Sequence, residues 1–367
     1  MTEVIYDTIN YEEIKNKAYD FLIDYADGLL PIKLTKMIEQ IDNLMLLKYS
    51  DFAKMHKIAI SEAADLLQSD DGALWYDCKR EIYILLYNDT ITNKERIRFT
   101  IAHELGHYAL KHNEKTEKTI VSRYSLPDSE YDFFEREANF FAKHLLVPFP
   151  VLGNYTQLFH SMSNDFIQEI FDVSYTVACY VIDNLKKMYS FGLVKEAHKV
   201  EKKFADYIKT DKTTIICDTC NCKIQRDSLY CHICGAKLTL KEPTVEAFLN
   251  NKNKERINRM KYKKIELDSE GYPVHCPRCD NEEVGKDNYC DICGTYIKNI
   301  CIGDYDDNFD SYGYPLHINN FLDNGCHKEL KGNSRYCPSC GGKSSYFFQG
   351  LLKNWDLEKE EYEDDLF

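Results

Sequence analysis

Apolar residues recur at helical spacing in four stretches of the first 190 residues. This pattern predicts helices over residues 11–25, from Thr92 to about His112, from 129 to 146 and over 166–188, the last divided by turn residues at 172–174. Three shorter apolar runs, 44–49, 73–76 and 81–87, are typical of strands. Thr92 and Glu95 have the spacing of a capping box, which places the start of the second helix. We therefore expect an α+β domain over residues 11–205.

The rest of the chain has a different pattern, in which paired cysteines and turn residues replace the apolar periodicity. Thirteen of the 15 cysteines lie between Cys217 and Cys340. Segments with so few large apolar residues usually need a metal to fold. We divide this part into three cysteine-rich modules, a segment rich in basic residues and an acidic tail: 213–240, 271–298 and 299–349 for the modules, 241–270 for the basic linker, and 350–367 for the tail.

Charge and composition narrow the function classes. The chain has 46 Lys and Arg against 60 Asp and Glu, a net charge of −14, which argues against a general polyanion binder. It has no apolar run of the roughly 18 residues that a membrane span needs, and its acidic first residues do not resemble a secretory signal. We expect a cytoplasmic protein with no membrane partner, whose cysteines bind metal rather than form disulfides.

A short motif on the second predicted helix has the spacing of a zinc site. In His103-Glu104-Leu105-Gly106-His107 the two histidines are four residues apart, so both imidazoles lie on one helical face and can bind one zinc. Glu104 points beside the metal, where it can accept a proton from an attacking water. Gly106 costs a helix about 1 kcal/mol relative to alanine, and the close approach of another element would explain it. The alternative is a surface helix with two incidental histidines.

A catalytic zinc needs a third protein ligand, and the next predicted helix offers two glutamates. Glu135 and Glu137 lie about 200° apart around the helix, so only one can face the metal. We favour Glu135, because it shares its face with small or polar residues that allow close packing on the motif helix. Asn139, one turn further on, would then orient a ligating histidine through its second ring nitrogen.

Two other histidines in this region are weaker candidates. His112 lies five residues beyond His107 and off the metal face of a continuous helix, and His144 lies near the end of its helix. We interpret both as ordinary, partly exposed histidines. The 27 tyrosines leave too many choices for a group that stabilises the oxyanion, and none is chosen.

These motifs and their order resemble the ImmA/IrrE family of metallo-endopeptidases. The resemblance covers about residues 15–190 and is carried by Arg98 to His107, by Glu135 to Leu146 followed by Val147-Pro148, and by Phe171 to Tyr175 before a helix. It implies a zincin-like fold and zinc held by the two histidines and a downstream glutamate, which matches His103, His107 and Glu135. Val147 stands where methionine is common in the family, which affects no catalytic residue.

The family also implies site-specific proteolysis of a partner repressor, with a helix-turn-helix repressor of a phage or other mobile element as the expected substrate. An acidic enzyme suits such a partner, because it can attract the basic DNA-binding face of a repressor without being held by DNA itself.

The cysteine pairs resemble zinc ribbons. Two sets have the same internal spacing, a pair of C-x-x-C knuckles separated by ten residues, and they consist of Cys217, Cys220, Cys231 and Cys234 (ribbon 1) and of Cys276, Cys279, Cys290 and Cys293 (ribbon 2). Thiolates at this spacing close a tetrahedral zinc site with no open position. Gly235 and Gly294 follow the last cysteine of each set, where a tight turn favours glycine. Cys222 is an extra thiol that we leave without a metal.

A third set is incomplete in the sequence. Cys326, Cys337 and Cys340 repeat the spacing, but Asp323 stands where the first cysteine would be. Cys301 is the favoured fourth ligand (ribbon 3), and His317 and Asp323 remain competitors. We therefore expect one catalytic and up to three structural zinc ions.

Zinc ribbons generally bind nucleic acid or protein, and substrate or partner recognition is the function that we favour. Basic residues in the linker could touch phosphate, but with a net charge of −14 a solvated linker helix is the preferred interpretation. These residues are Lys252, Lys254, Arg256, Arg259, Lys261, Lys263 and Lys264. The sequence thus predicts a zinc endopeptidase. The competing hypothesis is a non-catalytic adaptor or DNA-binding regulator, against which the intact Glu104 argues.

Overall fold

The computed structural model describes residues 8–122, 125–156, 162–192, 198–239, 244–303, 318 and 325–364. The chain forms two compact units, Met1–Thr210 and Asp211–Phe367. The boundary expected at residue 205 lies inside a helix, Val200–Thr213, in which Phe204 and Ile208 are buried. No helix in the described ranges is both long enough and apolar enough to cross a membrane.

The N-terminal unit combines a small sheet with a larger set of helices, as the sequence predicts. Its strands are β1 (Leu44–Lys48), β2 (Gly72–Asp77) and β3 (Ile82–Tyr87). Its helices are α1 (Tyr11–Tyr25), α2 (Leu34–Ile38), α3 (Tyr49–His56), α4 (Ile60–Leu67), α5 (Lys94–Ala109), α6 (His112–Thr116), α7 (Asp128–Leu146), α8 (Phe149–Thr156), α9 (Asn164–Phe171), α10 (Tyr175–Ser190) and α11 (Val200–Thr213).

The sheet has the strand order β1-β3-β2, with β3 parallel to β1 and antiparallel to β2. The central strand is apolar throughout, and Tyr83, Leu85 and Leu86 are buried. Helix α5 packs on both β2 and β3. The α+β class expected from the sequence is therefore confirmed, and the sheet supports the helix that carries the histidine motif.

The two ends of α5 differ from the sequence prediction. The cap is Asn93, whose side-chain oxygen accepts the Arg96 N–H at 2.7 Å, so the capping box between Thr92 and Glu95 was wrong. The helix also ends at Ala109 rather than near His112. Lys111 then adopts a left-handed conformation with a φ of 58°, and α6 begins at His112. The chain therefore turns back before His112 instead of continuing the helix.

Close packing of α5 on α7 is possible because of a glycine. A Cβ atom at Gly106 would lie 3.0 Å from both the Cα and the carbonyl oxygen of Ala138, closer than most Cβ atoms approach a neighbour, so Ala138 would have to move by a few tenths of an ångström. Helix α1 also packs on α7, where Phe21 contacts Phe141 at a ring-centroid distance of 6.0 Å. The small residues at 106 and 138 thus set the separation of the two helices.

Within its described residues, the C-terminal unit contains little regular structure apart from short hairpins and three helices. Its elements are β4 (Thr214–Ile216), β5 (Lys223–Gln225), α12 (Val245–Asn258), β6 (Cys301–Gly303), β7 (Lys343–Ser344), α13 (Ser345–Phe348) and α14 (Trp355–Asp364). Strands β4 and β5 form one antiparallel pair, and β6 and β7 form another. The glycines that end the knuckles, Gly235, Gly294 and Gly341, have φ values of 72°, 68° and 81°, as tight knuckle turns require.

Ribbons 1 and 3 pack on each other through equivalent residues. The ring of Tyr336 lies over Gly235, and the ring of Tyr230 lies over Gly341, with ring carbons 3.0 and 2.9 Å from the position that a Cβ would occupy. The backbone bonds are reciprocal as well, from Tyr230 N–H to the Pro338 carbonyl and from Tyr336 N–H to the His232 carbonyl, at 3.1 and 3.0 Å. The two ribbons therefore pack on each other through a reciprocal pair of tyrosine–glycine contacts.

The basic segment between ribbons 1 and 2 packs on ribbon 1 along one face and exposes most of its basic side chains. Helix α12 buries Phe248, and Asn251 accepts the Ile216 N–H of ribbon 1 at 2.6 Å. Lys252 forms an ion pair with Asp211, and Glu255 forms one with Lys223 of β5. The expectation of a solvated linker helix holds for most of its basic side chains, since Lys254, Arg256 and Arg259 are exposed. It is incomplete, because Phe248 and these ion pairs hold one face of α12 against ribbon 1.

Candidate metal centres

Three side chains from α5 and α7 meet at one point of the N-terminal unit. The Nε2 atoms of His103 and His107 lie 3.0 Å apart. Each Nε2 lies 3.4 Å from a carboxylate oxygen of Glu135, one from each oxygen. The three donors thus converge as the sequence predicts, and the contact of Gly106 with Ala138 is what brings the two helices close enough.

This donor set fits a zinc ion. Zinc bonds to imidazole nitrogen and carboxylate oxygen are about 2.0–2.2 Å long, so neighbouring ligands of a tetrahedral ion are separated by about 3.3–3.5 Å. The observed separations of 3.0 and 3.4 Å are close to that value. Two neutral imidazoles and one carboxylate would also leave the fourth coordination position of a zinc ion open to water or substrate, as is usual in catalytic zinc sites.

The site lies in a cleft of about 310 Å³. Its wall includes the strand β2 at Gly72 and Ala73 and residues from both helices, among them Glu104, Tyr131 and Asn139. Glu104 is buried and does not belong to the convergent metal-binding group. It lies instead beside that group in the same cleft.

Burial raises and the histidines lower the pKa of both carboxyl groups, but the balance differs between them. Burial is the largest effect on Glu104 and raises its pKa, although the two histidines oppose it. Burial opposes ionisation of Glu135 too, but hydrogen bonds with His103 and His107 outweigh it and lower the pKa. Glu135 is therefore the permanent anion of the site, whereas the Glu104 carboxylate is the more basic group.

The second ring nitrogen of His103 contacts the residue expected from the sequence. His103 Nδ1 lies 3.2 Å from the side-chain oxygen of Asn139, one turn beyond Glu135 on α7. If His103 presents the lone pair of Nε2 to a metal, the proton is on Nδ1 and donates to this oxygen. Asn139 thus lies where it can orient His103.

His112 is fully buried, and its interpretation as a partly exposed histidine was wrong. Its Nδ1 lies 2.9 Å from His107 Nδ1, and its Nε2 lies 3.0 Å from a carboxyl oxygen of Glu137. Burial is the largest cause of a lowered pKa for His112 and of a raised pKa for Glu137. The contact between them is therefore a hydrogen bond of a neutral imidazole. Sequence reasoning missed it because it assumed that α5 continues through His112.

His144 is also buried rather than partly exposed, so that interpretation was wrong too. Its Nδ1 is 3.1 Å from the hydroxyl of Tyr19 on α1. Burial, with smaller contributions from Lys15 and Lys143, lowers the pKa of His144 to about 3. It is a neutral core histidine away from the metal-binding group.

The cysteines of ribbons 1 and 2 form two compact tetrads. In ribbon 1 the Cys217–Cys234 and Cys220–Cys231 Sγ distances are 3.7 and 3.5 Å. In ribbon 2 the Cys276–Cys293 and Cys279–Cys290 distances are 3.6 and 3.7 Å. Four thiolates at about 2.3 Å from one zinc ion are separated by about 3.8 Å, whereas a disulfide requires about 2.05 Å. All 15 cysteines are free, so both tetrads fit zinc.

A third tetrad contains Cys301. Its Sγ lies 3.5 Å from that of Cys340, and Cys326 lies 3.6 Å from both Cys337 and Cys340. The four sulfurs form one group that can hold a metal. Strand β6 begins at Cys301 and pairs with β7 just after the last knuckle, which explains how a cysteine 25 residues upstream reaches the others. The competitors His317 and Asp323 lie outside the described residues.

Cys222 belongs to none of these groups. Its Sγ lies 3.9 Å from Nε2 of His232, and burial raises the pKa of this thiol to about 12. A protonated, buried thiol is a poor metal ligand and a poor nucleophile.

Comparison with known proteins agrees with this geometry. No curated protein matches the chain. Residues 56–183, which include the whole His103, His107 and Glu135 group, match the model of the Peptidase_M78 family, described as the IrrE N-terminal-like domain. The chain therefore contains a metallopeptidase-like domain of the ImmA/IrrE family in its N-terminal unit.

Proposed function

We propose that the chain is a zinc-dependent, site-specific endopeptidase with its active site at His103, His107 and Glu135. The observation that carries this proposal is the position of Glu104. It is a buried carboxylate in the same cleft as the ligands, but it is not one of them. A domain that only bound a partner through a metal would have no need of a base at this place.

The residues divide the chemistry between them. A zinc ion in this site would polarise the scissile carbonyl and make a water molecule more acidic. Glu104 accepts the proton of the attacking water and later delivers it to the leaving amine. Its raised pKa suits a group that must both take and give a proton. Tyr131, the tyrosine among the described cleft residues, is the phenol available for an oxyanion.

The three cysteine tetrads are proposed to bind one structural zinc each. Four thiolates leave no open position for a substrate. The C-terminal unit has small apolar clusters that are built largely from the ligating cysteines themselves, as in the cluster of Cys276, Cys290 and Ile297. Metal binding and folding are therefore coupled in this unit.

We propose a helix-turn-helix repressor of a phage or mobile element as the substrate, with cleavage in the cytoplasm. The net charge of −14 favours encounter with the basic face of such a repressor. A reducing compartment would also keep the 15 free cysteines available for zinc. The ribbons would hold the repressor at a distance from the scissile bond and add binding energy there.

The alternative is a non-catalytic adaptor or DNA-binding regulator that acts through its ribbons. Both lysines of helix α12 already pair with aspartates of this unit, which makes a phosphate-binding role less favoured. Lys252 pairs with Asp211, and Lys254 pairs with Asp218. Binding to nucleic acid is therefore the less favoured partner class.

The zinc content is the first prediction. Purified chain should contain about four zinc ions, one per convergent group. Replacing Cys337 and Cys340 together by serine should remove about one of them, measured by elemental analysis. Because ribbons 1 and 3 pack on each other, this variant should also unfold the C-terminal unit at a lower temperature. A wild-type content of one zinc would contradict the three ribbon sites.

The second prediction separates metal binding from catalysis. Glu104→Gln should keep the full zinc content but lose cleavage of candidate repressors, because an amide cannot accept the proton. The loss should be at least about 10²-fold, the lower end of what general-base catalysis contributes. Cleavage products are sized by mass spectrometry. Glu130→Gln on α7, outside the cleft-lining residues, is the matched control and should cut normally. A Glu104→Gln chain as active as the control would contradict the role of Glu104.

The third prediction concerns the ribbons. A chain that ends at Thr213 keeps α11 intact, with its buried Phe204 and Ile208. We expect it to fold and bind one zinc, but to cut a repressor more slowly at low substrate concentration than the full chain does. Initial rates over a range of repressor concentrations measure this difference. Equal rates at every concentration would show that the ribbons do not take part in substrate choice.

A further inference from the structure

Behind the predicted zinc site lies a second layer of polar side chains that the proposed mechanism does not use. His112 and Glu137 are buried and come from two different helices, α6 and α7. Buried polar groups of this kind are costly unless their hydrogen bonds are satisfied. Their contacts lead to His107, one of the proposed zinc ligands.

We propose that Glu137 and His112 form a hydrogen-bonded chain that positions His107 for zinc. Two contacts carry the proposal, His107 Nδ1 to His112 Nδ1 at 2.9 Å and His112 Nε2 to Glu137 Oε2 at 3.0 Å. The inference rests on the proposed metal site, but it does not depend on proteolysis.

Only one arrangement of protons satisfies every contact when a metal is bound. His107 must present the lone pair of Nε2, because that atom faces His103 and Glu135, so its proton is on Nδ1. This N–H donates to His112 Nδ1, which therefore carries no proton. The proton of His112 is then on Nε2, and it donates to the Glu137 carboxyl oxygen. Two neutral imidazoles thus fix each other's tautomer and ring orientation.

The fold holds this chain of contacts rigid. Lys111 in its left-handed conformation turns His112 back under His107, and the ring of Phe134 packs on the His112 ring at a centroid distance of 4.6 Å. Asn139 holds His103 from the other side. Both histidine ligands are therefore oriented through their second ring nitrogens, one by an amide and one by the pair of His112 and Glu137.

The arrangement also assigns separate tasks to the two neighbouring glutamates of α7. Glu135 contacts the histidines on the metal side, at Nε2. Glu137, two residues on, acts on the opposite edge of His107 through His112. His112 and Glu137 are thus positioning residues, and neither touches the substrate or the metal.

The test measures zinc affinity of the full chain in buffers of fixed free zinc, with occupancy counted by native mass spectrometry. A His103→Ala chain gives the occupancy of the thiolate sites alone. His112→Phe and Glu137→Leu should each weaken the remaining site by about 10–100-fold, the usual effect of losing such a partner. Glu137→Gln keeps an acceptor oxygen for His112 and should retain most of the affinity.

The matched control is His144→Phe, which removes another buried histidine of α7 and its bond to Tyr19 but should leave zinc affinity unchanged. Circular dichroism at saturating zinc checks that each variant is folded. His112→Phe removes the middle residue of the hydrogen-bonded series, and Glu137→Leu removes its last residue. The proposal would be overturned if folded His112→Phe or folded Glu137→Leu bound zinc with wild-type affinity, or if His144→Phe lost as much zinc affinity as they do. A wild-type chain that binds no more zinc than His103→Ala would instead contradict the metal site itself, and the proposed function with it.

Discussion

The close approach of α5 and α7 is the constraint on which the N-terminal unit depends. A Cβ atom at Gly106 would lie only 3.0 Å from the backbone of Ala138, so the glycine favours the close approach that lets Glu135 reach the two histidines one turn apart on α5. The glycine weakens its own helix by about 1 kcal/mol relative to alanine. This local cost accompanies the short distance between α5 and α7 that a three-ligand site needs. The sheet packs on α5, and α1 packs on α7, so both helices are also held by neighbouring elements.

Much of this arrangement could be predicted because it is local. The spacing of His103 and His107, the face that Glu135 shares with Ala138, and the apolar runs of the strands are all properties of single elements. The errors arose where the backbone departs from regular structure. Asn93 rather than Thr92 caps α5, and the left-handed Lys111 ends it early, which moves His112 from the expected surface to the interior. No periodicity argument could place His112 beside Glu137, because that contact depends on a turn and on a second helix.

The C-terminal unit is organised by a different interaction. Its ribbons have few apolar residues, and the thiolate groups take the place of a core. The reciprocal contacts of Tyr230 with Gly341 and of Tyr336 with Gly235 join ribbon 1 to ribbon 3, although ribbon 2 lies between them in the sequence. The cysteine spacing predicts each metal group of ribbons 1 and 2 on its own. It gives no information about which ribbons pair, because that depends on aromatic residues whose neighbours are distant in sequence.

The central claim is that α5 and α7 together form a three-ligand zinc site beside a base that is not a ligand. The most direct measurement is a crystal structure of the zinc-loaded chain with anomalous scattering recorded at the zinc edge. Our account predicts a peak about 2.0–2.2 Å from His103 Nε2, His107 Nε2 and a Glu135 oxygen, with Glu104 outside bonding distance of the ion. A zinc ion bound through Glu104 or Glu137 instead of Glu135, or no peak between the two helices, would contradict it.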